Sequence, residues 1–505
     1  MSITPTYPGV YVTEVPSGNR TVTGVATSIT AFLGTAQRGP VDEPVDISNF
    51  ADFARSFGPL WRESGLGYAV RDFYLNGGGP ALVVRVAKDD AVTAELSLGG
   101  LVLAARGPGS WANEMTATVV HPNPADAADV AQAQGLHDGE GLFSLELAFG
   151  DEVEFFPNVS TTPGPRRVDS VLKASRLARV KGAVPAARPG ENTYPVTTDG
   201  FNGGSPDAAA YTTAVPKRGI HALDGADLLN ILVLPPLTPA GQLPDEVWKD
   251  ALEYVENRRA FLIVDPPPGR TKEDIAAWVT SGAGLSGAFA NRAAVYYPRI
   301  LASDPLQGGA VAAFAPSGAM AGIYARTDAT RGIWKAPAGI EAGIVGALGP
   351  SEKLTDDDNG TLNPQGVNVI RSFTGTGTVA WGARTLRGSD RLSDEYKYVP
   401  VRRLALYLEE SLYRGTQWVV FEPNDEPLWS QIRMSVGAFM QGLFRKGAFQ
   451  GASPKDAYFV RCSSETTTQY DIDRGVVNIQ VGFAPLKPAE FVMISIQQKS
   501  TTSQA

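Results

Sequence analysis

The side chains that most often carry out chemistry in proteins are sparse in this sequence of 505 residues. Its three histidines, His121, His137 and His221, stand at unrelated spacings, without the His-x-x-x-His pattern that places two imidazoles on one helix face. The single cysteine, Cys462, cannot form a disulfide within the chain or a multi-cysteine zinc site, so we interpret it as a small buried apolar residue. We therefore expect no metal and no acid–base centre.

Several glycine-containing segments resemble ligand-binding motifs, but each stands in the wrong context. Gly375-Thr-Gly-Thr-Val-Ala matches the relaxed dinucleotide pattern, yet β-prone residues follow where the fingerprint requires a helix. Asn76-Gly-Gly-Gly-Pro follows a predicted helix and precedes a strand, which is typical of a helix C-cap and the reverse of a phosphate-binding loop. Gly284-Leu-Ser-Gly-Ala lacks the last glycine of a nucleophile elbow, so Ser286 is interpreted as part of a turn.

An acidic segment, Thr355-Asp-Asp-Asp-Asn-Gly, lacks the closing glutamate of a calcium loop and predicts a solvated turn. With no convergent set of reactive side chains, we predict no catalytic residue, no cofactor and no metal. The protein is predicted not to be an enzyme.

Composition and charge also indicate which class of protein this is. Hydrophobic residues make up 43% of the chain and charged residues 19%, as in ordinary globular proteins. The net charge of −9 supplies no overall positive field, so no nucleic-acid partner is expected. Apolar runs such as Ile231-Leu-Val-Leu are far shorter than the ~20 residues that span a bilayer, and the first residues do not resemble a secretory signal. We expect synthesis in the cytoplasm and no membrane insertion.

The elements that would position any site begin with an extended arm. The segment Gly9-Val-Tyr-Val-Thr-Glu-Val lies between two prolines, and its side chains fall alternately on two sides, with Val10 and Val12 on one and Tyr11, Thr13 and Val15 on the other. This pattern predicts a strand. After this arm we predict a strand at Ala31-Phe-Leu-Gly, a helix around residues 68–75 and a strand from Ala81. Residues 88–215 show short alternating runs broken by Gly, Pro and Asp, which predict an inserted, mostly antiparallel β domain with an exit linker at 185–206.

After Leu228 strands and helices alternate, which indicates an α/β layer. Helices are predicted at 245–259, from Thr271, and at 399–413 and 428–446, and strands at 230–234, 261–264, 293–297, 457–462, 476–483 and 491–497. The predicted fold class is mixed α/β, with an α/β core built mainly from the C-terminal half plus an N-terminal segment, an inserted antiparallel β domain, and extended β-strand arms at both termini. The predicted domains are an N-terminal arm (1–20), the N-terminal part of the core (21–87), an outer β domain (88–215), the α/β core (216–488), and a C-terminal arm and tail (489–505).

Several phrases, taken in order, resemble the contractile tail sheath proteins of phages and phage-like injection particles. They include Tyr7-Pro-Gly-Val-Tyr-Val-Thr-Glu-Val, Ala315-Pro-Ser-Gly-Ala-Met-Ala-Gly-Ile-Tyr, Trp381-Gly-Ala-Arg-Thr, Trp418-Val-Val-Phe-Glu-Pro-Asn and Gly482-Phe-Ala-Pro-Leu-Lys-Pro-Ala-Glu-Phe-Val. Each is weak alone, but together they extend from residue 7 to about residue 498.

The resemblance implies a structural subunit that polymerises as stacked six-fold rings around an inner tube and contracts to drive the tube through a target envelope. Its implied partners are other copies of itself in a helical stack, the inner tube protein, and baseplate and terminator or cap proteins. It also implies terminal strands that complete a sheet in neighbouring subunits by β-augmentation.

The residues assigned to these roles are the N-terminal arm Val10, Tyr11, Val12, Thr13, Glu14 and Val15; the C-terminal arm Phe491, Val492, Met493, Ile494, Ser495 and Ile496; and the arm hinges Ser17, Gly18, Asn19, Leu486, Lys487 and Pro488. For the inner tube we assign Arg433, Arg445 and Lys446, which concentrate positive charge on the predicted helix 428–446 of an acidic chain. Ordinary surface turns at the hinges and helix-end charges at the cations are alternatives that the sequence leaves open.

Two other functions also stay open from the residues alone. An α/β enzyme, either a hydrolase or a dinucleotide-dependent catalyst, would display convergent titratable groups. A monomeric tail or adhesion component would suit the β insertion but would leave the apolar C-terminal strand without a partner. A sheath subunit would build long hollow tubes. The sequence does not distinguish a phage tail from a bacteriocin-like, extracellular or intracellular particle, although a type VI system is less favoured because both halves of the signature occupy one chain.

Overall fold

The structure, a computed structural model, describes residues 20–134 and 141–495. The described chain forms two compact units: a larger unit, Thr27–Arg402, and a smaller unit made of residues 20–26 and 403–495. The predicted domain bounds remain a prediction beside this division.

The larger unit opens with strands and two helices. These elements are β1 (Thr30–Gly34), β2 (Pro44–Ile47), α1 (Phe50–Phe57), α2 (Leu66–Leu75) and β3 (Ala81–Arg85). The side chain of Asn49 caps α1 by accepting a hydrogen bond from the amide of Asp52. Asn76 is the C-cap of α2, which confirms the interpretation of the Asn76-Gly-Gly-Gly-Pro segment.

The next part of the larger unit is mostly antiparallel β structure. Its elements are β4 (Glu95–Leu98), β5 (Leu101–Ala105), β6 (Thr116–Val120), α3 (Pro124–Ala133), β7 (Leu142–Phe149), β8 (Glu152–Ser160), α4 (Val168–Val171), β9 (Ala178–Lys181) and β10 (Asn192–Pro195). They form two sheets, β4-β5-β9 and β10-β6-β7-β8, around one apolar core. Trp111 lies in that core with its ring edge against Phe149.

The prediction of a linker at residues 185–206 is wrong. Strand β10 lies inside this stretch and pairs with β6, and isolated bridges join Thr198 to Glu95 and Phe201 to Val92. Its Pro, Gly and Asn residues shape turns between paired segments, and composition alone does not distinguish such turns from a linker.

The α/β part of the larger unit continues with α5 (Ala208–Thr212), β11 (Ile231–Val233), α6 (Glu246–Asn257), β12 (Phe261–Val264), α7 (Ile275–Ala277), β13 (Ala293–Tyr297), β14 (Ile300–Asp304), β15 (Ala310–Phe314), α8 (Ser317–Arg331), β16 (Ala347–Pro350), α9 (Asp356–Leu362), β17 (Val367–Phe373) and β18 (Gly377–Ala380). The acidic segment expected to be a turn instead begins α9, because Thr355 and Asp358 form a reciprocal capping box.

The central sheet of the larger unit has eight strands in the order β18-β17-β13-β12-β11-β1-β3-β2. The strands from β17 through β3 run parallel, and β18 and β2 pair antiparallel at the two edges. Strands β1, β3, β11, β12 and β13 are buried along their whole length, as expected for parallel strands covered on both faces. The sheet joins an N-terminal segment to the later α/β segments, so the predicted mixed α/β fold is confirmed.

Helices α2 and α8 pack unusually closely. A Cβ atom on Gly318 would lie 2.2 Å from the carbonyl oxygen of Ala69, and one on Gly322 would lie 2.4 Å from that of Phe73. The absence of side chains at these two glycines lets the backbones of the helices approach each other.

The last elements of the chain lie in the smaller unit, except that α10 begins with residues 399–402 of the larger unit. From residue 399 onward these are α10 (Val399–Gly415), α11 (Glu426–Arg445), α12 (Pro454–Ala457), β19 (Tyr458–Arg461), α13 (Gln469–Asp473) and β20 (Gln480–Phe483). The side chain of Asp425 caps α11 by accepting a hydrogen bond from the amide of Leu428. Within residues 20–134 and 141–495, the helices are all too short or too polar to cross a bilayer.

Candidate assembly site

The end of the described chain exposes a run of large apolar side chains. Phe491, Val492, Met493 and Ile494 are 74%, 78%, 92% and 81% exposed. Residues 491–495 belong to no helix or strand in the structure of the single chain. Scattered apolar residues are normal on a surface, whereas a continuous apolar run marks a place where another surface binds. The predicted C-terminal strand is thus present here only as an uncovered segment, and Ile496 lies outside the described residues.

The small sheet of the smaller unit is formed by β19 and β20 alone. They pair antiparallel from Tyr458 opposite Phe483 to Arg461 opposite Gln480. Phe449 packs against both Tyr458 and Phe483, with ring centroids 6.1 Å and 5.9 Å away. A two-stranded sheet is marginally stable by itself, and in the described chain neither outer edge carries a third strand. Each edge is therefore a place where a strand from another chain can pair.

The residues predicted to be the C-terminal hinge follow the last attachment of this sheet. The amide of Ala484 donates to the carbonyl of Ala457 over 2.8 Å, and Pro485 bridges to Phe449. Leu486, Lys487 and Pro488 come next and belong to no helix or strand. Their role as a hinge stays a prediction. The N-terminal arm Val10–Val15 and the hinge residues Ser17, Gly18 and Asn19 lie outside the described residues.

The three cations predicted to contact the inner tube do not form one cluster. The guanidinium of Arg433 pairs with Glu426 over 2.5 Å and donates to the carbonyl of Cys462, so it is engaged within the unit. Arg445 and Lys446 are exposed at the C-terminal end of α11, about 18 Å further along the helix at 1.5 Å per residue. That end is where positive charge also favours the helix dipole.

Sequence reasoning missed one exposed feature of the same unit. Phe421 is fully exposed, its neighbour Val420 is 59% exposed, and the backbone of Phe421 has φ 69°. Non-glycine residues rarely adopt this left-handed conformation, and such residues concentrate at binding sites. The aromatic residue in Trp418-Val-Val-Phe-Glu-Pro-Asn is visible in the sequence, but the sequence gives no sign that its ring faces solvent.

The segments considered for chemistry have other roles in the structure. Gly375 lies in the tight turn between β17 and β18, Gly377 is the first residue of β18, and both have positive φ. A hairpin thus occupies the place that a dinucleotide site would give to a helix. The Nε2 atom of His121 lies 2.7 Å from the carbonyl oxygen of Pro189. Cys462 is completely buried, as predicted, and burial raises the pKa of its thiol.

The remaining histidines add no reactive cluster to the described chain. The ring of His221 lies edge-on to Tyr254 and 3.9 Å from a carboxylate oxygen of Asp224, and His137 lies outside the described residues. Within residues 20–134 and 141–495, no three or more His, Cys, Asp or Glu side chains are grouped closely enough to hold a metal ion.

Burial also perturbs the carboxyl group of Asp265, which lies directly after β12. Burial raises its pKa to about 6, although hydrogen bonds from Ser317 oppose the shift. The amide and hydroxyl of Ser317 donate to its two oxygens over 2.9 Å and 2.6 Å, at the start of α8. The cavity beside Asp265 measures about 10 Å³, room for little more than a water molecule. This carboxylate therefore holds the first turn of α8 in place.

Comparison with known proteins identifies the class to which this fold and these exposed surfaces belong. A family model described as the phage tail sheath protein central domain matches residues 210–386, and one described as the phage tail sheath C-terminal domain matches residues 393–499. Together these matches cover more than half of the chain. The chain belongs to the phage tail sheath family.

Individual relatives agree with this assignment over nearly the whole length. The tail sheath protein of Burkholderia phage BcepMu is 26% identical over 460 residues, which cover 88% of this chain and 87% of that protein. The fold is similar to that of the PVC sheath complex of an extracellular contractile injection system in the contracted state, with a TM-score of 0.59, 23% identity and 99% of each chain covered. It is equally similar to the contracted helical sheath of the anti-feeding prophage, with a TM-score of 0.59, 23% identity, and 98% and 100% of the two chains covered.

Proposed function

We propose that this chain is the sheath subunit of a contractile phage tail or phage-like particle, in which copies polymerise as stacked six-fold rings around an inner tube. Contraction of the stack drives the tube through a target envelope. The family and the relatives support the sheath role. The single observation that carries the polymerisation is the exposed apolar run Phe491–Ile494 in a unit whose own sheet has only two strands.

The physical basis of assembly is strand addition between copies. An extended segment that pairs with an open sheet edge exchanges exposed backbone groups for hydrogen bonds and buries alternate side chains. Each such hydrogen bond contributes about 0.5–1.5 kcal/mol net, which is small alone. Several bonds per arm, repeated over many subunits, give a lattice held by many weak links. Such a lattice rearranges without dissociating because each arm stays paired while the body of the subunit rotates about the hinge.

Contraction in this proposal requires no nucleotide and no catalytic residue. The extended state is held by a kinetic barrier, and free energy is released as subunits rotate and form larger contacts. The protein is accordingly proposed to act mechanically and not as an enzyme. This agrees with the hairpin found at Gly375 and the capping role of Asp265.

The proposed partners follow from the same assembly. One structural neighbour is a chain in the structure of the anti-feeding prophage baseplate, and we propose that this chain meets a baseplate, and a terminator at the other end. For the inner tube protein, the exposed cations Arg445 and Lys446 supply a charged contact that salt screens. Arg433 has a lesser part, because its guanidinium is already paired with Glu426.

Electron microscopy of the purified full-length chain tests the proposal. We expect hollow tubes with six-fold symmetry and a helical repeat when the protein is concentrated. Dispersed particles at every concentration, with a cooperative unfolding transition that shows the chain to be folded, would overturn it.

A further inference from the structure

The first described residue of the chain, Arg20, is held by side chains from two parts of the smaller unit. Its guanidinium lies 4.6 Å from the ring centroid of Trp418, donates to the Trp418 carbonyl over 3.1 Å, and pairs with Glu422 at 3.1 Å. The hydroxyl of Ser435, on α11, donates to the carbonyl oxygen of Arg20. The backbone and the side chain of one residue are therefore both fixed.

The residues that follow are held along α10. Val22 is 4% exposed, and Gly415 at the end of α10 packs so closely on it that a Cβ there would lie 2.6 Å from a methyl group of Val22. The amide of Val25 donates to the hydroxyl of Ser411 over 3.2 Å. Gly24 lies against Tyr407, and a Cβ on Gly24 would lie 2.0 Å from the tyrosine hydroxyl. Contacts thus recur at residues 20, 22, 24 and 25, so this short segment is held at both ends and in its middle.

We infer that residues 20–25 are a fixed anchor for the N-terminal segment, and that Arg20 is the positioning residue at its outer end. No bending then takes place within residues 20–25 during contraction. This inference rests on the proposed function, because only a sheath subunit uses the N-terminal segment as an arm.

The anchor relies on several contacts acting together. The side chains of Arg20 and Glu422 are 47% and 38% exposed, and an ion pair this exposed contributes little alone. Stacking of the guanidinium on Trp418 adds a contact that lysine reproduces poorly. Buried Val22 and the bonds of Ser435 and Ser411 fix the backbone at separate points. Removing Arg20 should loosen the segment without unfolding the unit.

Hydrogen exchange on the unassembled full-length chain tests the anchor by itself. In the unaltered protein the amides of residues 22–25 should exchange slowly. In Arg20→Ala they should exchange about tenfold faster while the amides of α11 keep their protection. Gly24→Ala, which forces a methyl group against Tyr407, should have the same effect. Arg331→Ala, which breaks an ion pair of similar exposure in the larger unit, is the control and should leave residues 22–25 unchanged. Fast exchange at residues 22–25 in the unaltered protein would overturn the anchor.

Electron microscopy of the same variants tests the role of the anchor in assembly. Arg20→Ala should give tubes with irregular helical order, Arg20→Lys should restore part of the order, and Arg331→Ala should match the unaltered protein. Regular tubes from Arg20→Ala, despite faster exchange, would overturn Arg20 as a positioning residue. An unaltered chain that builds no tubes would contradict the proposed function instead, and the exchange experiment would still decide whether residues 20–25 are fixed.

Discussion

A buried carboxylate such as that of Asp265 carries a cost that depends on pH. Its folded-state pKa of about 6 lies above the ordinary value of 3.8, so the folded chain binds this proton more tightly than the unfolded chain does. The stabilisation from protonation is fully present below pH 3.8 and is lost as the pH rises through 6. The difference of about two pKa units corresponds to about 3 kcal/mol.

Replacing Asp265 by asparagine should remove this dependence, because the amide group accepts from the Ser317 amide and donates to its hydroxyl without carrying charge. We expect the unfolding free energy of the unaltered protein, relative to that of Asp265→Asn, to fall by about 2–2.5 kcal/mol between pH 4 and pH 7. Urea unfolding at several pH values measures this difference. Curves that run parallel across this range would contradict the assignment.

Asp304 provides a control of opposite sign. Burial raises its pKa, but hydrogen bonds from the Leu306 amide, Gln307 and Tyr68 outweigh burial and hold the pKa below its usual value. Its stabilisation is present at neutral pH and is lost as the pH falls below 4. Asp304→Asn should therefore be less stable than the unaltered protein at neutral pH, and this deficit should shrink in acid.

Individual residues were predictable where one property decides their place. The burial of Cys462 and the core position of Trp111 follow from size and polarity. The contact of Arg433 with Glu426 joins residues seven apart on one helix, and the exposure of Phe421 depends on a local backbone conformation. The ion pair requires the course of the helix, and the exposure requires the backbone conformation at one residue; residue type alone indicates neither. The prediction therefore did not distinguish Arg433 from Arg445 and Lys446.

At the level of elements, the close approach of α2 and α8 is a sensitive packing contact. Gly322→Ala should destabilise the protein by about 1–3 kcal/mol, because the added methyl group would overlap the backbone of Phe73. Gly360→Ala in α9 is the matched control: its Cβ would meet nothing within 4 Å, so the change should stabilise the helix by about 0.5–1 kcal/mol. Urea denaturation compares the two. Equal effects of the same sign would show that α2 and α8 separate freely.

The end of α11 gives a prediction about binding. Reversing charge with Arg445→Glu and Lys446→Glu should weaken cosedimentation with the inner tube protein, most strongly at low salt, because opposite charges attract less when screened. Lys455→Glu, an exposed cation elsewhere in the smaller unit, is the control. Arg433→Ala should mainly lower stability. If the Arg445 and Lys446 variants bound the tube normally at every salt concentration, the proposed contact would be wrong.

Elements whose apolar residues recur at a regular spacing were predicted well, and elements without such a spacing were not. Helices α6, α10 and α11 begin and end within a few residues of their predicted bounds, because apolar residues recur on one face. Helix α8 was not predicted: small residues such as Gly318 and Gly322 are buried on it and leave no amphipathic stripe. The strand predicted at 476–483 is confirmed only for Gln480–Phe483. Its first predicted residue, Val476, instead donates its amide to the backbone carbonyl of Asp471 in α13.

For the whole molecule, the proposal requires the C-terminal segment to act between copies and not within one. The double variant Val492→Glu and Ile494→Glu should keep the unfolding transition of the unaltered chain, because both side chains are exposed. It should fail to build tubes, because charges placed at a dry strand contact cannot be buried. Deletion of residues 490–505 or 1–16 should give the same result. Normal tubes from these variants would show that the terminal arms do not take part in assembly.

The architecture of the whole chain was partly accessible from the sequence. Alternating strands and helices predicted the parallel sheet, and short broken runs predicted the antiparallel region, because each pattern reflects how its strands are buried. Which strands neighbour each other, such as β1 between β3 and β11, depends on long-range pairing that no local pattern records. The apolar residues 491–496 predicted a strand, yet in the single copy the described residues 491–495 pair with no strand.

The apolar run Phe491–Ile494 and the two-stranded sheet β19–β20 belong to the same polypeptide. Under the proposed pairing, each copy that joins covers one such run and presents another, so elongation leaves the number of uncovered ends constant. The free energy of growth then depends on how much free protein is available. A chain of this kind stays dispersed below a threshold concentration and elongates above it from the first platform that displays matching edges. Elongation therefore stops when free protein is used up or when a terminator covers the last exposed run, and the subunit itself does not encode the length of the polymer.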